Sequence, residues 1–261
     1  MKIIKNKKFA NGSVYALQTE DGYPIETTST FLPYYTKHCI KRHTNVMKDS
    51  DYTNESERWM IGVSCMSGCP VGCKFCATGQ LNKYRNLSSE EMVEQVFLME
   101  RKSDYYFGES KENKINYTRM GEPFLNIEEV KKAIEIIDKK YKNVHHYIST
   151  IGIKDSDFSW IKDNITLQIS LHSLDEERRN DLIPFKRKMT IEDLGKIRTK
   201  SKLQTTINLT LVDEKDFDIK LLKKYFDPEY FFIKLSPINV NSISEKNKLG
   251  KGIIDYKEEI K

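Results

Sequence analysis

The pattern of apolar and polar positions in this chain alternates between two periods. Short apolar runs predict six β-strands, at residues 59–64, 114–118, 145–150, 165–171, 203–211 and 231–235. Apolar residues at helical spacing predict helices between them, at residues 88–102, 127–141, 155–162, 191–200 and 216–225. Because parallel neighbouring strands need crossover connections, this order predicts an α/β fold with a parallel sheet, an open or closed barrel.

The N-terminal part has a different pattern. Residues 8–33 alternate in places around the turn Glu20-Asp21-Gly22-Tyr23-Pro24 and predict a small β-hairpin, and residues 37–57 are polar enough for a loop. We therefore expect a β-rich extension and loop at residues 1–57. The core barrel then occupies residues 58–261, with a short C-terminal segment.

Composition excludes several classes of protein. A chain of 261 residues with 38% hydrophobic and 31% charged residues fits a compact domain and not a disordered or collagen-like chain. The net charge of +5 is too small and dispersed to indicate nucleic-acid binding by itself. Since no apolar run has the length of a membrane span and no signal peptide is recognisable, we expect a cytoplasmic protein with no membrane association.

The cysteines indicate a metal site. Four of the five, Cys65, Cys69, Cys73 and Cys76, lie within twelve residues, and an odd total without a secretion signal argues against a disulfide framework. The last three follow the first predicted barrel strand, where active-site loops of such folds lie. Three thiolates with one position unfilled suit an iron–sulfur cluster that binds something else. A structural zinc module with Cys65 as fourth ligand is the alternative.

The spacing C-x3-C-x-aromatic-C, with Phe75 as the aromatic residue, resembles the signature of the radical S-adenosylmethionine (SAM) superfamily. Within it, the chain resembles the ribosomal-RNA adenine C2-methyltransferases and their C8-methylating antibiotic-resistance relatives, from about residue 12 to residue 239. The matching segments are residues 68–79, Arg85-Asn86-Leu87, Met120-Gly121-Glu122-Pro123, Ser149-Thr150, Ser170-Leu171-His172 and Pro237-Ile238-Asn239.

The resemblance implies a partial (β/α)6 radical-SAM barrel with two cofactors, a [4Fe-4S] cluster and SAM. It makes Cys69, Cys73 and Cys76 the cluster ligands, and it implies reductive cleavage of SAM to a 5′-deoxyadenosyl radical with electrons from an external flavodoxin or ferredoxin. The cofactor contacts that it implies are Gly121, Glu122, Ser149, Ser170, Leu171, His172 and Asn239.

Two further features carry alternatives. Glu26 matches the general-base glutamate of the family, and a surface hairpin carboxylate is the other interpretation. The basic run Lys186-Arg187-Lys188 lies at a loop that approaches RNA in the family, and a solvated face is the other interpretation.

The chain departs from the family at the residues that carry the methyl group. The family uses a methylated cysteine near its C-terminus and a second cysteine seven residues before the triad, whereas here position 62 is Gly62 and no cysteine follows Cys76. Cys65 would point to the opposite face of its strand, and Cys39 has no counterpart. The family's upstream helical RNA-binding domain has no match either, since about ten residues precede the matching segment.

These departures favour a radical SAM enzyme that abstracts hydrogen from an unidentified substrate without the methyl-cysteine mechanism. An RNA adenine C2/C8-methyltransferase is the alternative, and the substrate is RNA, a nucleotide or another compound that composition does not identify.

Arg119 stands where the family has glycine, two residues before Gly121. Counting along the strand, Tyr117 and Arg119 are expected to share a face. We expect Arg119 to bind an anionic group of the substrate or cofactor, since the guanidinium is a bidentate cation. A structural pair with a nearby carboxylate, such as Glu122 or Glu91, is the alternative.

Overall fold

The computed structural model describes residues 1–32, 53–81, 83–212, 216–238 and 240–249. The described strands are β1 (Lys2–Phe9), β2 (Gly12–Gln18), β3 (Pro24–Phe31), β4 (Arg58–Gly62), β5 (Met66–Ser67), β6 (Arg85–Asn86), β7 (Glu112–Tyr117), β8 (Val144–Thr150), β9 (Ile165–Ser170), β10 (Thr205–Leu211) and β11 (Phe231–Pro237). The described α-helices are α1 (Ser89–Glu100), α2 (Ile127–Lys140), α3 (Glu176–Leu182), α4 (Ile191–Gly195), α5 (Ile219–Tyr225) and α6 (Ser242–Lys246).

The chain divides into two compact units. The first holds residues 1–67 and 85–147, and the second holds residues 68–84 and 148–261. The expected domain boundary between residues 57 and 58 stays a prediction. No helix of the described residues is both long and apolar enough to cross a membrane.

The first unit begins with an antiparallel meander. The predicted hairpin is formed by β2 and β3, β1 pairs with β2 as an additional strand, and β3 pairs antiparallel with β4. Sequence analysis missed β1 because seven of its eight residues are exposed, so its burial has no alternation. β4 then pairs parallel with β7, which begins the parallel sheet.

The two faces of this sheet differ in polarity. One face is apolar and buried, with Leu17, Ile25, Trp59, Ile61 and Ile115 at most 2% exposed. The register pairs Thr28 with Gly62 and Gly62 with Asn116, so these three residues share the other, polar face. Sequence and register together thus separate an apolar face from a polar face.

Helix α1 has the predicted start. The hydroxyl of Ser88 accepts from the Glu91 N–H at 3.2 Å, and the Glu91 carboxylate accepts from the Ser88 N–H at 2.9 Å. This capping box satisfies two amides that the helix itself leaves unpaired.

In the second unit β9 pairs parallel with β10, and β10 pairs parallel with β11. Residues 165, 167 and 169 of β9 are buried, whereas residues 166, 168 and 170 are half-buried. This alternation places polar side chains along one face and at the carboxyl ends of the strands, where parallel α/β folds bind their ligands.

Two helix predictions need correction. Residues 155–162 form turns, because Asp155 has a left-handed φ of 64° and the Asp157 carboxylate accepts from the Ser159 N–H at 2.8 Å, a local bond that competes with a helix. The helix expected at residues 191–200 ends at Gly195, where a Cβ would lie 2.1 Å from the Tyr225 carbonyl oxygen. Sequence analysis did not predict α3 and α6, which span seven and five residues.

Candidate active site

The three motif cysteines lie on a short turn in the second unit. Cys69, Cys73 and Cys76 carry half-buried, reduced thiols, and the Cys76 N–H donates to the Cys73 carbonyl at 3.1 Å. The turn begins at Gly68, whose φ is +70° and whose Cβ would lie 2.6 Å from the Lys83 carbonyl oxygen. Only glycine fits this backbone without strain.

The donor set of the turn consists of three cysteine thiols, the residue type that binds iron–sulfur clusters. Among the described residues, no three His, Cys, Asp or Glu side chains lie close enough together to hold a metal ion. The structural zinc module weighed from the sequence stays an alternative, since it would need Cys65 as its fourth thiolate. In a [4Fe-4S] cluster each thiolate binds a different iron, which requires wider spacing. Cys65 lies in the first unit, where its thiol donates to the Met120 carbonyl at 3.5 Å.

A buried arginine interacts electrostatically with the cysteine turn. Arg179 of α3 is fully buried, and its guanidinium donates to the carbonyls of Met189 and Ile151, both at 2.7 Å. Burial lowers the pKa of Arg179 to about 10, and the negative charges of Glu176 and of the Cys73 thiolate oppose this shift. The cation therefore favours the thiolate form of Cys73, the form that binds metal. Sequence analysis missed Arg179, because nothing in the pattern distinguishes it from the other arginines.

Polar side chains meet at the carboxyl ends of β8 and β9. The hydroxyl oxygens of Ser149 and Ser170 lie 3.0 Å apart. After Ser170, the backbone N–H groups of Leu171 and His172 both donate to the Asn208 carbonyl, at 3.0 and 3.3 Å. The structure therefore brings these four of the predicted cofactor contacts together, whereas Asn239 and Cys39 lie outside the described residues.

His172 is a neutral, fixed side chain. Its φ is +65°, and its Nδ1 accepts from the Thr210 N–H at 3.2 Å. Burial lowers the pKa of His172 to about 3, with a smaller contribution from Arg179. Because Nδ1 is the acceptor, the proton of the neutral ring lies on Nε2. The Phe75 ring packs edge-on against the imidazole, with 4.7 Å between the centroids.

Gly121 and Glu122 lie in the first unit. Gly121 has a φ of +104°, and a Cβ there would lie 2.6 Å from the Met66 Cβ and 2.9 Å from the Cys65 Sγ. Glu122 is only 4% exposed, and its Oε1 accepts from the Phe124 N–H at 3.1 Å. This bond fixes the orientation of the Glu122 carboxylate. Glu122 itself comes directly after the loop that follows β7.

Arg119 forms an ion pair with Glu26. The guanidinium donates to the Glu26 carboxylate, and the side-chain exposures are 34% and 38%. Arg119 thus pairs with a nearby carboxylate, as the alternative from the sequence expected, but the partner is Glu26 and not one of the examples Glu122 and Glu91.

The methylene stem of Arg119 passes over Gly62. A Cβ at Gly62 would lie 2.4 Å from the Thr28 Oγ1 and 2.9 Å from the Arg119 Cδ. Gly62 is paired with Asn116, so Arg119 lies on the face of Asn116, opposite to Tyr117. The expectation that Tyr117 and Arg119 share a face is therefore wrong. The reason is that β7 ends at Tyr117, and the alternation does not extend beyond a strand.

Two buried polar atoms at this position have no hydrogen-bond partner in the part of the chain that the structure describes. The Nε of Arg119 and the Oδ1 of Asn116 are buried without a hydrogen bond among the described residues. Unpaired buried polar atoms are rare in folded proteins and are often satisfied by a ligand or by water.

The basic run is only partly a solvated face. Lys186 and Arg187 are exposed, but Lys188 is 7% exposed and its ammonium donates to the Asn180 Oδ1 at 2.5 Å and the Phe185 carbonyl at 3.3 Å. Burial lowers the pKa of Lys188.

Comparison with known proteins identifies the family. Residues 63–226 match the model of the Radical SAM superfamily. The chain belongs to this superfamily. Its cofactors are therefore a [4Fe-4S] cluster and SAM, as expected, and the protein is a radical SAM enzyme.

The relatives of this radical SAM chain include RNA methyltransferases. It is 32% identical over 259 residues to the probable dual-specificity RNA methyltransferase RlmN of Pseudothermotoga lettingae, covering 94% of this chain and 67% of the relative. It is 34% identical over 198 residues to the dual-specificity RNA methyltransferase RlmN of Helicobacter hepaticus, covering 71% and 53%. The chain thus matches between about half and two thirds of the length of these relatives.

A solved structure confirms the fold class. The crystal structure of a radical SAM methyltransferase from Sphaerobacter thermophilus matches 95% of this chain and 72% of its own, with a TM-score of 0.66 and 22% sequence identity. The α/β class, with a partial radical-SAM barrel and an N-terminal hairpin, is confirmed.

Proposed function

We propose that this radical SAM enzyme methylates RNA, with an adenine base as the target. Sequence analysis placed this reaction second, behind direct hydrogen abstraction. RNA methylation is the better supported of the two, because the chain is 32% identical over 94% of its length to a relative whose name states RNA methylation.

In this proposal Cys69, Cys73 and Cys76 hold the cluster. When bound, the cluster and SAM supply a 5′-deoxyadenosyl radical by reductive cleavage, and an external donor of the flavodoxin or ferredoxin type supplies the electron. The cation of Arg179 favours the thiolate at Cys73. The cysteines of the turn therefore bind the cluster, and the residues around them orient the cluster and exclude water.

The proposed SAM contacts are divided between two strand-end groups. Glu122 accepts from the ammonium of SAM, and Gly121 allows the backbone to approach it closely. The Ser149 and Ser170 hydroxyls, the Leu171 backbone and the Nε2–H of His172 bind polar atoms of the cofactor, together with Asn239. The neutral state of His172 suits a hydrogen-bond donor and not a counter-ion, since the pKa lies near 3.

Glu26 is the proposed general base and Arg119 a substrate contact. Their ion pair uses one carboxylate oxygen, so the second oxygen of Glu26 accepts the proton. The Nε of Arg119 has no partner among the described residues and faces a substrate group that accepts hydrogen bonds.

Direct hydrogen abstraction is the second candidate, and the observation that favours it is the packing at Gly62. The family places its resolving thiol at this position, where Arg119 and Thr28 fill the space that a side chain would need. A thiol intermediate at residue 62 is therefore not available to this chain.

The experiment that separates the two candidates uses SAM with a labelled methyl group, a strong reductant and ribosomal or transfer RNA under anaerobic conditions. The proposal expects label in the RNA and none with the Cys73→Ala variant as control. If 5′-deoxyadenosine forms while the RNA stays unlabelled, RNA methylation is wrong and hydrogen abstraction is supported.

A further inference from the structure

Two asparagines that flank α6 reach back to the cysteine turn. The Asn241 Nδ2 donates to the Phe75 carbonyl at 3.0 Å, and the Asn247 Nδ2 donates to the Lys74 carbonyl at 2.7 Å. Lys74 and Phe75 are the two residues between Cys73 and Cys76. The carbonyls of the two residues between Cys73 and Cys76 are therefore held by the residues at the two ends of one helix, which lies more than 160 residues later in the chain.

These bonds fix the direction of the peptide planes between the two thiols. In a planar trans peptide the C=O of one residue and the N–H of the next point in opposite directions. Because Asn247 holds the Lys74 carbonyl, the Phe75 N–H points to the other side of the turn. Phe75 N–H has no acceptor among the described residues. The next peptide, held by Asn241, carries the Cys76 N–H that donates to the Cys73 carbonyl at 3.1 Å.

Helix α3 also contacts the turn. The Lys74 N–H donates to the Leu182 carbonyl at 3.0 Å, and the Lys74 ammonium pairs with the Asp181 carboxylate. The turn is therefore anchored from two helices, so its backbone direction does not depend on a bound metal.

We propose that Asn241 and Asn247 are positioning residues for the iron–sulfur cluster. They hold the turn so that the Cys73 and Cys76 thiolates, and the N–H of Phe75, face the bound cluster. The inference rests on the proposed assignment of these cysteines as ligands. Preorganised ligands slow the loss of a metal group, and an N–H donated to a cluster sulfur stabilises the reduced state.

Asn241 has a second role that the test must separate. Its Oδ1 accepts from the N–H groups of Ile243 and Ser244, at 2.9 and 3.1 Å, and so caps α6. Serine is an equally good N-cap residue, but its shorter hydroxyl does not replace the amide donor toward Phe75. Asn241→Ser therefore keeps the cap of α6 without adding charge. It removes the clamp, which is our name for the asparagine hydrogen bonds to the carbonyls of the turn, at the Phe75 carbonyl.

The experiment compares reconstituted parent, Asn241→Ser, Asn247→Ser, and Lys246→Ala as the control for an exposed side chain on the same helix. Three quantities are measured: the rate of cluster loss to an iron chelator, followed by visible absorbance, the midpoint potential from an EPR-monitored titration, and the melting temperature of the cluster-free chain. We expect each serine variant to lose its cluster about 2- to 10-fold faster, the range for one hydrogen bond. The midpoint shifts to a more negative potential, while Lys246→Ala behaves as the parent.

Unchanged cluster loss and midpoint in both serine variants would overturn the clamp, and so would a lower melting temperature of the cluster-free chain as the only effect. Failure of the parent chain to take up a cluster is a different result, because it overturns the proposed function itself.

Discussion

The cysteine turn and the Gly62 position differ in how the chain builds them. The turn takes its three thiols from eight consecutive residues, 69–76, whose spacing alone carries the chemistry. The Gly62 position combines Glu26 on β3, Gly62 on β4 and Arg119 after β7. At the first region this chain agrees with its family, and at the second it departs from it.

The departures at Gly62 and Arg119 are complementary. Because Gly62 has no side chain, the Arg119 stem passes over it and reaches Glu26. Two substitutions that look independent in the sequence thus form one packing unit. The comparison teaches that a local motif identifies a cofactor, whereas the Gly62 position depends on contacts between distant strands.

The largest effect is expected at the turn. Cys73→Ala removes a cluster ligand, so iron falls from about four per chain to less than one after anaerobic reconstitution. Cys65→Ala is the matched control, because the Cys65 thiol donates a hydrogen bond to the Met120 carbonyl in the first unit. We expect this variant to keep all four irons. A Cys73→Ala protein with a full iron complement would show that the turn does not hold the cluster.

His172, which packs on Phe75 of the turn, makes stability depend on pH. Its folded-state pKa is about 3 against an ordinary value of 6.5, so between these values the unfolded chain binds a proton that the native chain does not. This contribution is complete above about pH 6.5, and it is lost as the pH falls toward 3, by up to about 1.4 kcal/mol per pH unit.

The variant His172→Asn tests this dependence, since asparagine tolerates a positive φ. The measurement is the free energy of unfolding of the cluster-free chain at several pH values. Its slope between pH 4 and 6 should be smaller in the variant than in the parent. Equal slopes would mean that His172 takes up its proton in the native state as well.

At the second region a thermodynamic cycle tests the complementarity. Gly62→Cys places atoms against Thr28 and Arg119, and overpacking of this kind costs about 1–3 kcal/mol of stability. The double variant Gly62→Cys/Arg119→Gly, which carries the family residues, should lose less than the sum of the two single variants. The measurement is urea unfolding of the three variants and the parent, and additive losses would contradict the coupling.

The smallest effect is expected for the ion pair itself. Both partners are about one third exposed, so Glu26→Gln should cost less than about 1 kcal/mol. The loss should shrink further at high salt, which screens the pair in the parent. A larger, salt-independent loss in the same unfolding measurement would indicate that Glu26 supports the fold in another way.

Sequence reasoning predicted the parts of this molecule that depend on local pattern. The six strands predicted for the sheet, the start of helix α1 and the cysteine turn each have a short-range signal. Strand β1 and helices α3 and α6 do not. β1 is an exposed edge strand, and α3 and α6 each contain a single apolar residue, which gives no periodicity.

The contacts of the site were less predictable. The Arg119–Glu26 pair joins residues 93 positions apart, and Arg119 turned to the face opposite to the one counted from the strand. Arg179, Asn241 and Asn247 act through backbone carbonyls, which no side-chain pattern encodes.

The most direct test of the central claim is EPR spectroscopy of the anaerobically reconstituted, reduced chain with and without SAM, combined with measurement of 5′-deoxyadenosine. If Cys69, Cys73 and Cys76 hold a [4Fe-4S] cluster with one iron open to SAM, the signal of the reduced cluster changes when SAM is added and 5′-deoxyadenosine accumulates. If the EPR signal of the reduced cluster does not change when SAM is added, and no 5′-deoxyadenosine forms, the account is contradicted.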